Sequence, residues 1–239
     1  FPNNQMVKFS DTDWWDEVDR TAPIQSHQLS LVGGSNKGQY LLGLNYFDQQ
    51  GTVIHSYYKR YQTRINTSFD LRDWFRVGEN LQFTYSKDQG LQSSSSEASA
   101  YSYTYRPSPW VPVQDEFGNW AGSKIAGTGN FVNPVAREYR NKDNHYVNTR
   151  LFGNVWAEID FMKELTFRTS FGLDHSTYWG YRMAKKDPEF SESPGTNNFD
   201  EEANSGYNMQ WQNTLTYSKR FGELHNLTVL VGSDALRGG

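Results

Sequence analysis

The chain has 239 residues, no cysteine and a formal charge of −4, which excludes thiolate metal sites and disulfide scaffolds and leaves no basic face for nucleic acid. Aromatic residues make up 16% of it, yet the mean hydropathy is −0.80. No run approaches about 18 consecutive apolar residues, which excludes a membrane-spanning helix and leaves a membrane-spanning strand open.

Phe1-Pro2-Asn3 lacks the charged start and short apolar core of an export signal. An exported protein with this sequence is therefore expected to have lost its signal or to be cut from a longer chain. Residues 11–20 read Asp-Thr-Asp-Trp-Trp-Asp-Glu-Val-Asp-Arg. Asp13 followed by Asp16 and Glu17 carries a helix-start pattern, but the preferred reading is a solvated acidic loop with both tryptophans packed beneath it. A first strand is expected over 24–32, ending in a tight Gly-rich turn at 33–38. No Gly-Lys-Ser/Thr follows that turn and no helix begins there, so it is not a phosphate loop. A second strand over 39–50 places Tyr40, Leu42, Leu44 and Tyr46 on one face.

The clearest signal runs from Tyr58 to Asp88. Arg60, Gln62, Arg64, Asn66, Ser68 and Asp70 alternate with Tyr61, Thr63, Ile65, Thr67, Phe69 and Leu71. Successive strand side chains point to opposite faces, so one face is polar and the other apolar and aromatic. After a break at 72–74 the pattern resumes, with Val77, Leu81, Phe83 and Tyr85 opposite Arg76, Asn80, Gln82 and Thr84. Each arm is about twice the usual strand length, and its faces suit a strand between lipid and a polar lumen.

A long irregular stretch is expected over 89–143, opening with the low-complexity run at 92–97 and carrying Tyr101, Tyr103, Tyr105, Trp110 and Trp120. Its length marks it as functional or disordered, and its aromatics argue against simple disorder. Two strands follow within 144–181, with Tyr146, Asn148, Arg150, Asn154 and Glu158 on a polar face interrupted by Phe152 and Trp156. A polar loop is expected over 182–206, then two more strands within 207–235. Short connections at 33–38, 71–74, 162–164 and 221–223 alternate with longer ones at 51–57, 89–143 and 182–206. Tight turns at one end and long loops at the other are the asymmetry of an outer-membrane barrel. Parity starts the first strand on the loop side, after an expected earlier strand.

The fold expected is therefore all-β: an antiparallel transmembrane β-barrel segment of about eight long meander strands. Segment 1–23 would end an extracellular loop, 24–88 hold four strands, and 89–143 and 182–206 form extracellular loops. Two alternatives remain: a secreted or cell-surface β-sandwich that binds carbohydrate through exposed aromatics, and a closed eight-stranded barrel.

Several blocks then carry a family likeness. Thr12-Asp-Trp-Trp-Asp-Glu17, Arg20-Thr-Ala-Pro-Ile-Gln25, His27-Gln-Leu-Ser30, Tyr46-Phe-Asp-Gln-Gln-Gly51, Tyr58-Lys-Arg-Tyr61, Arg64-Ile-Asn66 and Val77-Gly-Glu-Asn80, in that order, resemble the SusC/RagA family of TonB-dependent transporters. The resemblance implies a parent barrel of about 22 strands around a plug, a box that engages TonB and a SusD-like lipoprotein lid. It also implies uptake of oligosaccharides or peptides across the outer membrane of a Bacteroidetes-type bacterium. The plug and coupling box are absent from these residues.

No enzymatic role, cofactor or metal is expected. His27, His55, His145, His175 and His225 show no ligand spacing, and Glu158/Asp160 lack any supporting motif for glycoside hydrolysis. Two readings stand for Tyr101, Tyr103, Tyr105, Trp110 and Trp120: packing of the loop onto itself, or platforms for sugar rings or a protein lid. Arg60, Arg64, Asn66, Arg76, Arg150 and Arg168 are the lumen-facing candidates. Their guanidinium groups would either bind anionic groups along a solute path or pair with carboxylates across strands.

Overall fold

The computed structural model describes residues 10–89, 99–124, 127–222 and 224–239. The low-complexity run at 92–97, the start at Phe1 and residue Glu223 of the last turn lie outside the described residues. Eight strands form one sheet in sequence order: β1 (Ile24–Ser35), β2 (Gly38–Gln50), β3 (Tyr57–Arg72), β4 (Phe75–Asp88), β5 (His145–Met162), β6 (Leu165–Ala184), β7 (Asn198–Phe221) and β8 (His225–Gly238). Every neighbouring pair is antiparallel. Among the described residues no second sheet packs on this one, and β1 and β8 do not pair with each other. The sandwich and the closed eight-stranded barrel are both excluded.

Register keeps the two faces continuous from strand to strand. On the apolar face Leu29 meets Leu44, Thr63 meets Phe83, and Phe83 meets Leu151. Side chains there stay open, with Leu29 at 57% and Phe83 at 47% exposure. An aromatic row crosses its loop end: His27, Tyr46, Tyr61 and Tyr85 have successive ring separations of 6.2, 5.1 and 6.1 Å. At the turn end Leu71, Trp74, Phe161, Met162 and Phe221 are exposed. The row therefore sits at one limit of an apolar band and the bulky turn residues at the other, as barrel strands require. Glu79 interrupts this face between Thr67 and Val155. Gly33 has a specific reason: a Cβ there would run into the Tyr40 ring lying across it.

The turns fall where expected, at 36–37, 73–74 and 163–164, with a last one around 222–224. The loop expected over 182–206 is corrected. β6 continues to Ala184 and β7 already begins at Asn198, pairing Arg182 with Asp200 and Met183 with Phe199. Both faces of that hairpin end mix charge and aromatics, so hydropathy alternation, the usual strand signal, is missing there.

All the fully buried apolar side chains among the described residues lie outside the strands, at the loop end. Trp14, Val111, Ala121 and Phe131 form a core there, with Val113 and Val135 packed against it. Residues 11–20 are not the solvated loop that their acidity suggested. Helix α1 (Trp14–Val18) forms, because the Asp13 carboxylate accepts from the backbone N–H groups of Trp15 and Asp16 and satisfies donors at the helix start. Of the two tryptophans only Trp14 is buried, at 3%, whereas Trp15 is 40% exposed. The stretch 89–143 is likewise not irregular throughout. It contains a 3-10 turn (Tyr101–Tyr103) and helix α2 (Pro134–Asn141). Asn133 caps α2 by accepting from Ala136 N–H, and its amide donates to Val113 and Ala121 carbonyls at 2.9 and 2.8 Å.

These pieces make one cap. Asp19 bridges to Val53, while Arg20 donates to the Gly51 and Ser56 carbonyls, tying the segment before β1 to the β2–β3 loop. Arg140 of α2 binds Asp187 at 2.7 Å and Glu189 at 2.6 Å in the β6–β7 connection. Ser123 and Asn130 bond Ser191 and Glu192 across the same seam.

Candidate functional site

Two surfaces carry the candidate residues, the cap and the polar face of the sheet. In the cap the five aromatics do not converge on one site. The Tyr101 ring stacks on Trp15 at 4.5 Å, and its hydroxyl donates to Asp19 at 2.8 Å and bonds Thr52 at 2.8 Å. Burial holds the Tyr101 phenol above its usual range. Tyr103 is 9% exposed and has two guanidinium groups near its ring, Arg137 at 4.5 Å and Arg106 at 5.3 Å. Both residues therefore serve the cap's own packing. Tyr105 is open at 77%, its ring centre 6.3 Å from that of Trp15, and Trp110 is 40% exposed.

Trp120 belongs to a separate cluster. Its ring meets Tyr139 at 5.5 Å, Lys142 lies 3.9 Å over the Tyr139 ring, and His55 approaches that ring edge-on at 5.9 Å. His55 has φ of +67°, a left-handed conformation uncommon for a side chain of this size. Burial first, then the charges of Lys142 and Arg20, holds its imidazole below the usual range. Trp15, Tyr139 and His55 are members that reading the sequence alone misses. Their partners lie far along the chain, and only the tight Thr12–Glu17 block hinted at Trp15.

Arg60, Arg64, Asn66, Arg76, Arg150 and Arg168 all lie on the polar face, as register requires. Arg76 binds Glu158 at 2.7 Å and Asp160 at 2.8 Å, and Arg168 reaches Glu158 from the other side at 3.3 Å. Thr166 also donates to Asp160. Glu158 and Asp160 are thus ion-pair partners of Arg76. Arg150 holds Asp174 through two bonds of 2.7 Å. Beside that pair the face dips into an open depression of about 400 Å³ bordered by Ser176, Gly206 and Asn208.

Arg60 and Arg64 differ. Arg60 lies 5.5 Å over the Phe47 ring and, among the described residues, donates only to the Asn45 amide oxygen, at 3.4 Å. Arg64 bonds Asn66 at 3.3 Å. The aromatics that interrupted the polar pattern have a role beside arginine: Phe152 stacks under Arg150 at 5.3 Å and Trp156 under Arg168 at 4.3 Å. Arginine on an aromatic ring gives a flat surface with donors at its edge. Among the described residues no cluster of three His, Cys, Asp or Glu side chains is placed to hold a metal.

No family model matches the chain. It is 29% identical to TonB-dependent receptor P3 of Formosa agariphila over 238 residues, 97% of this chain and 23% of the relative. It is also 29% identical to TonB-dependent receptor SusC of Bacteroides thetaiotaomicron over 129 residues, 52% of this chain and 13% of the relative. The chain thus spans less than a quarter of the relatives it matches. Among solved structures, a RagAB peptide transporter matches with a TM-score of 0.75 over 99% of this chain and 28% of its own, at 21% identity. At that identity the likeness shows the fold.

Proposed function

We propose that the chain is a SusC/RagA-like barrel segment of a TonB-dependent transporter, supported by its likeness to two TonB-dependent receptors, and that it supplies part of the wall and part of the extracellular cap of an outer-membrane importer. The apolar face meets lipid, and the polar face with Arg60, Arg64, Asn66, Arg76, Arg150 and Arg168 lines the lumen. The tight turns are periplasmic and the cap is extracellular, so segment 10–23 and the connections at 51–56, 89–144 and 185–197 are its external loops. The solute is an oligosaccharide or a peptide; the structural neighbour is described as a peptide transporter. A SusD-like lipoprotein would sit over the cap, with Tyr105, Trp110 and Trp120 as candidate contacts for solute or lid. TonB would act through other parts of the parent protein. The observation that carries this reading is a single sheet with an open apolar face and its buried core confined to the loop end.

Single-cysteine labelling of the full-length transporter in its outer membrane tests it, since these residues contain no native cysteine. A membrane-impermeant maleimide should reach Phe117→Cys on intact cells. In opened membranes it should reach Asn66→Cys and Gln82→Cys, while Ile65→Cys and Leu81→Cys stay at least ten-fold less reactive. Equal labelling of the adjacent positions 65 and 66 would refute the assignment of faces.

A further inference from the structure

Resting on the reading that the polar face lines the solute path, we propose that Arg60 and Arg64 form a two-point anion track that takes a solute carrying repeated negative groups. The two side chains share the polar face of β3 at i and i+4, about 13 Å apart at roughly 3.3 Å per residue. That spacing is too wide for one small anion to be gripped equally by both, and it fits successive acidic groups along an extended oligomer.

Charge on the surrounding wall is unbalanced. Arg76, Arg150 and Arg168 each have a carboxylate within 3.3 Å. Neither Arg60 nor Arg64 has an ion-pair partner among the described residues, and their polar contacts are the neutral amides of Asn45 and Asn66. The residues across the ladder are equally neutral: Ser86 and Gln82 on β4, Phe47 and Gly43 on β2. On the polar face of β1–β4 the carboxylates are Asp70, beside Arg76, and Asp88, one row beyond Ser86, and Asp88 has an interaction of its own.

The Arg60 Nε is itself buried, with no acceptor among the described residues, where buried donors are ordinarily paired. Gly43 stands opposite Arg64 and carries no side chain to cover it. Guanidinium groups bind carboxylate and sulfate oxygens through paired, charge-assisted hydrogen bonds. The shared chemistry is therefore a chain of carboxylates or sulfate esters, from an acidic oligosaccharide or an acidic peptide.

The test is equilibrium dialysis of radiolabelled sulfate against the detergent-solubilised full-length transporter at low ionic strength. Wild type is expected to bind, Arg60→Gln/Arg64→Gln to bind at least ten-fold more weakly, and Arg60→Lys/Arg64→Lys to retain most of the affinity. Equal binding by wild type and the Gln variant, or no binding by wild type, overturns the proposal. Tetragalacturonate and tetraglutamate then compete against the sulfate: the stronger competitor identifies the source, and failure of both to exceed acetate overturns the two-point spacing. Labelling of Gln62→Cys by a water-soluble maleimide separates the two levels. If that position is not reached, the lumen reading itself has failed; if it is reached and the Gln variant still binds, only the anion track has.

Discussion

Glu138 shows how one residue can set a property of the cap. It lies on the buried side of α2 at 6% exposure, and burial lifts its carboxyl from 4.5 to about 7 against the pull of Arg137. A folded-state pKa above the unfolded one means that the folded cap holds the proton longer. Its contribution is therefore greatest below pH 4.5, declines as pH rises from 4.5 to about 7, and is flat above. The full difference is about 3 kcal/mol. Hydrogen exchange at the α2 amides of the transporter, corrected for intrinsic rates, should show this loss between acid and neutral pH. Glu138→Gln should abolish it and hold the acid-pH protection at pH 8. An unchanged pH dependence in the variant would mean that another group is responsible.

At the scale of elements, the cap depends on α2 being tied to the β6–β7 connection. Arg140 is only 11% exposed and Glu189 only 6%, and the second Arg140 nitrogen also reaches Glu189, at 2.8 Å. Burial pushes the neighbouring Asp187 carboxyl up, with Arg140 as the largest opposing influence. Arg140→Ala would strand a buried carboxylate, a change that costs about 3–5 kcal/mol. It should expose residues 185–197 to limited proteolysis while leaving the β-strand signal unchanged. Adding Glu189→Gln should restore part of the resistance, and equal cleavage of Arg140→Ala and wild type would show that the tie is dispensable. The same region shows where reading the sequence fell short. Arg182, Asp200, Glu201 and Glu202 are strand residues, but their pairing is not written in hydropathy because apolar and polar environments no longer separate the two faces there.

For the whole molecule, the sheet has edges at β1 and β8 and, among the described residues, an apolar face with no protein layer over it. Open edges and an uncovered apolar face favour association in water. The 239-residue chain expressed by itself should aggregate in plain buffer and show β circular dichroism only in detergent. A monodisperse chain melting cooperatively without detergent would contradict that. What the sequence determined by itself were eight strands, their two faces and the alternation of tight turns with long connections. Side-chain alternation is a local property of extended backbone, so each strand records its own two environments. Tertiary structure decided the rest. It put Trp14 against Phe131 and Arg140 against Glu189, separated Tyr105 from Trp120, and left Arg60 and Arg64 without the carboxylates that Arg76, Arg150 and Arg168 obtained. Burial and ion pairing depend on residues distant in sequence, and no local pattern says which of two similar arginines will find a partner.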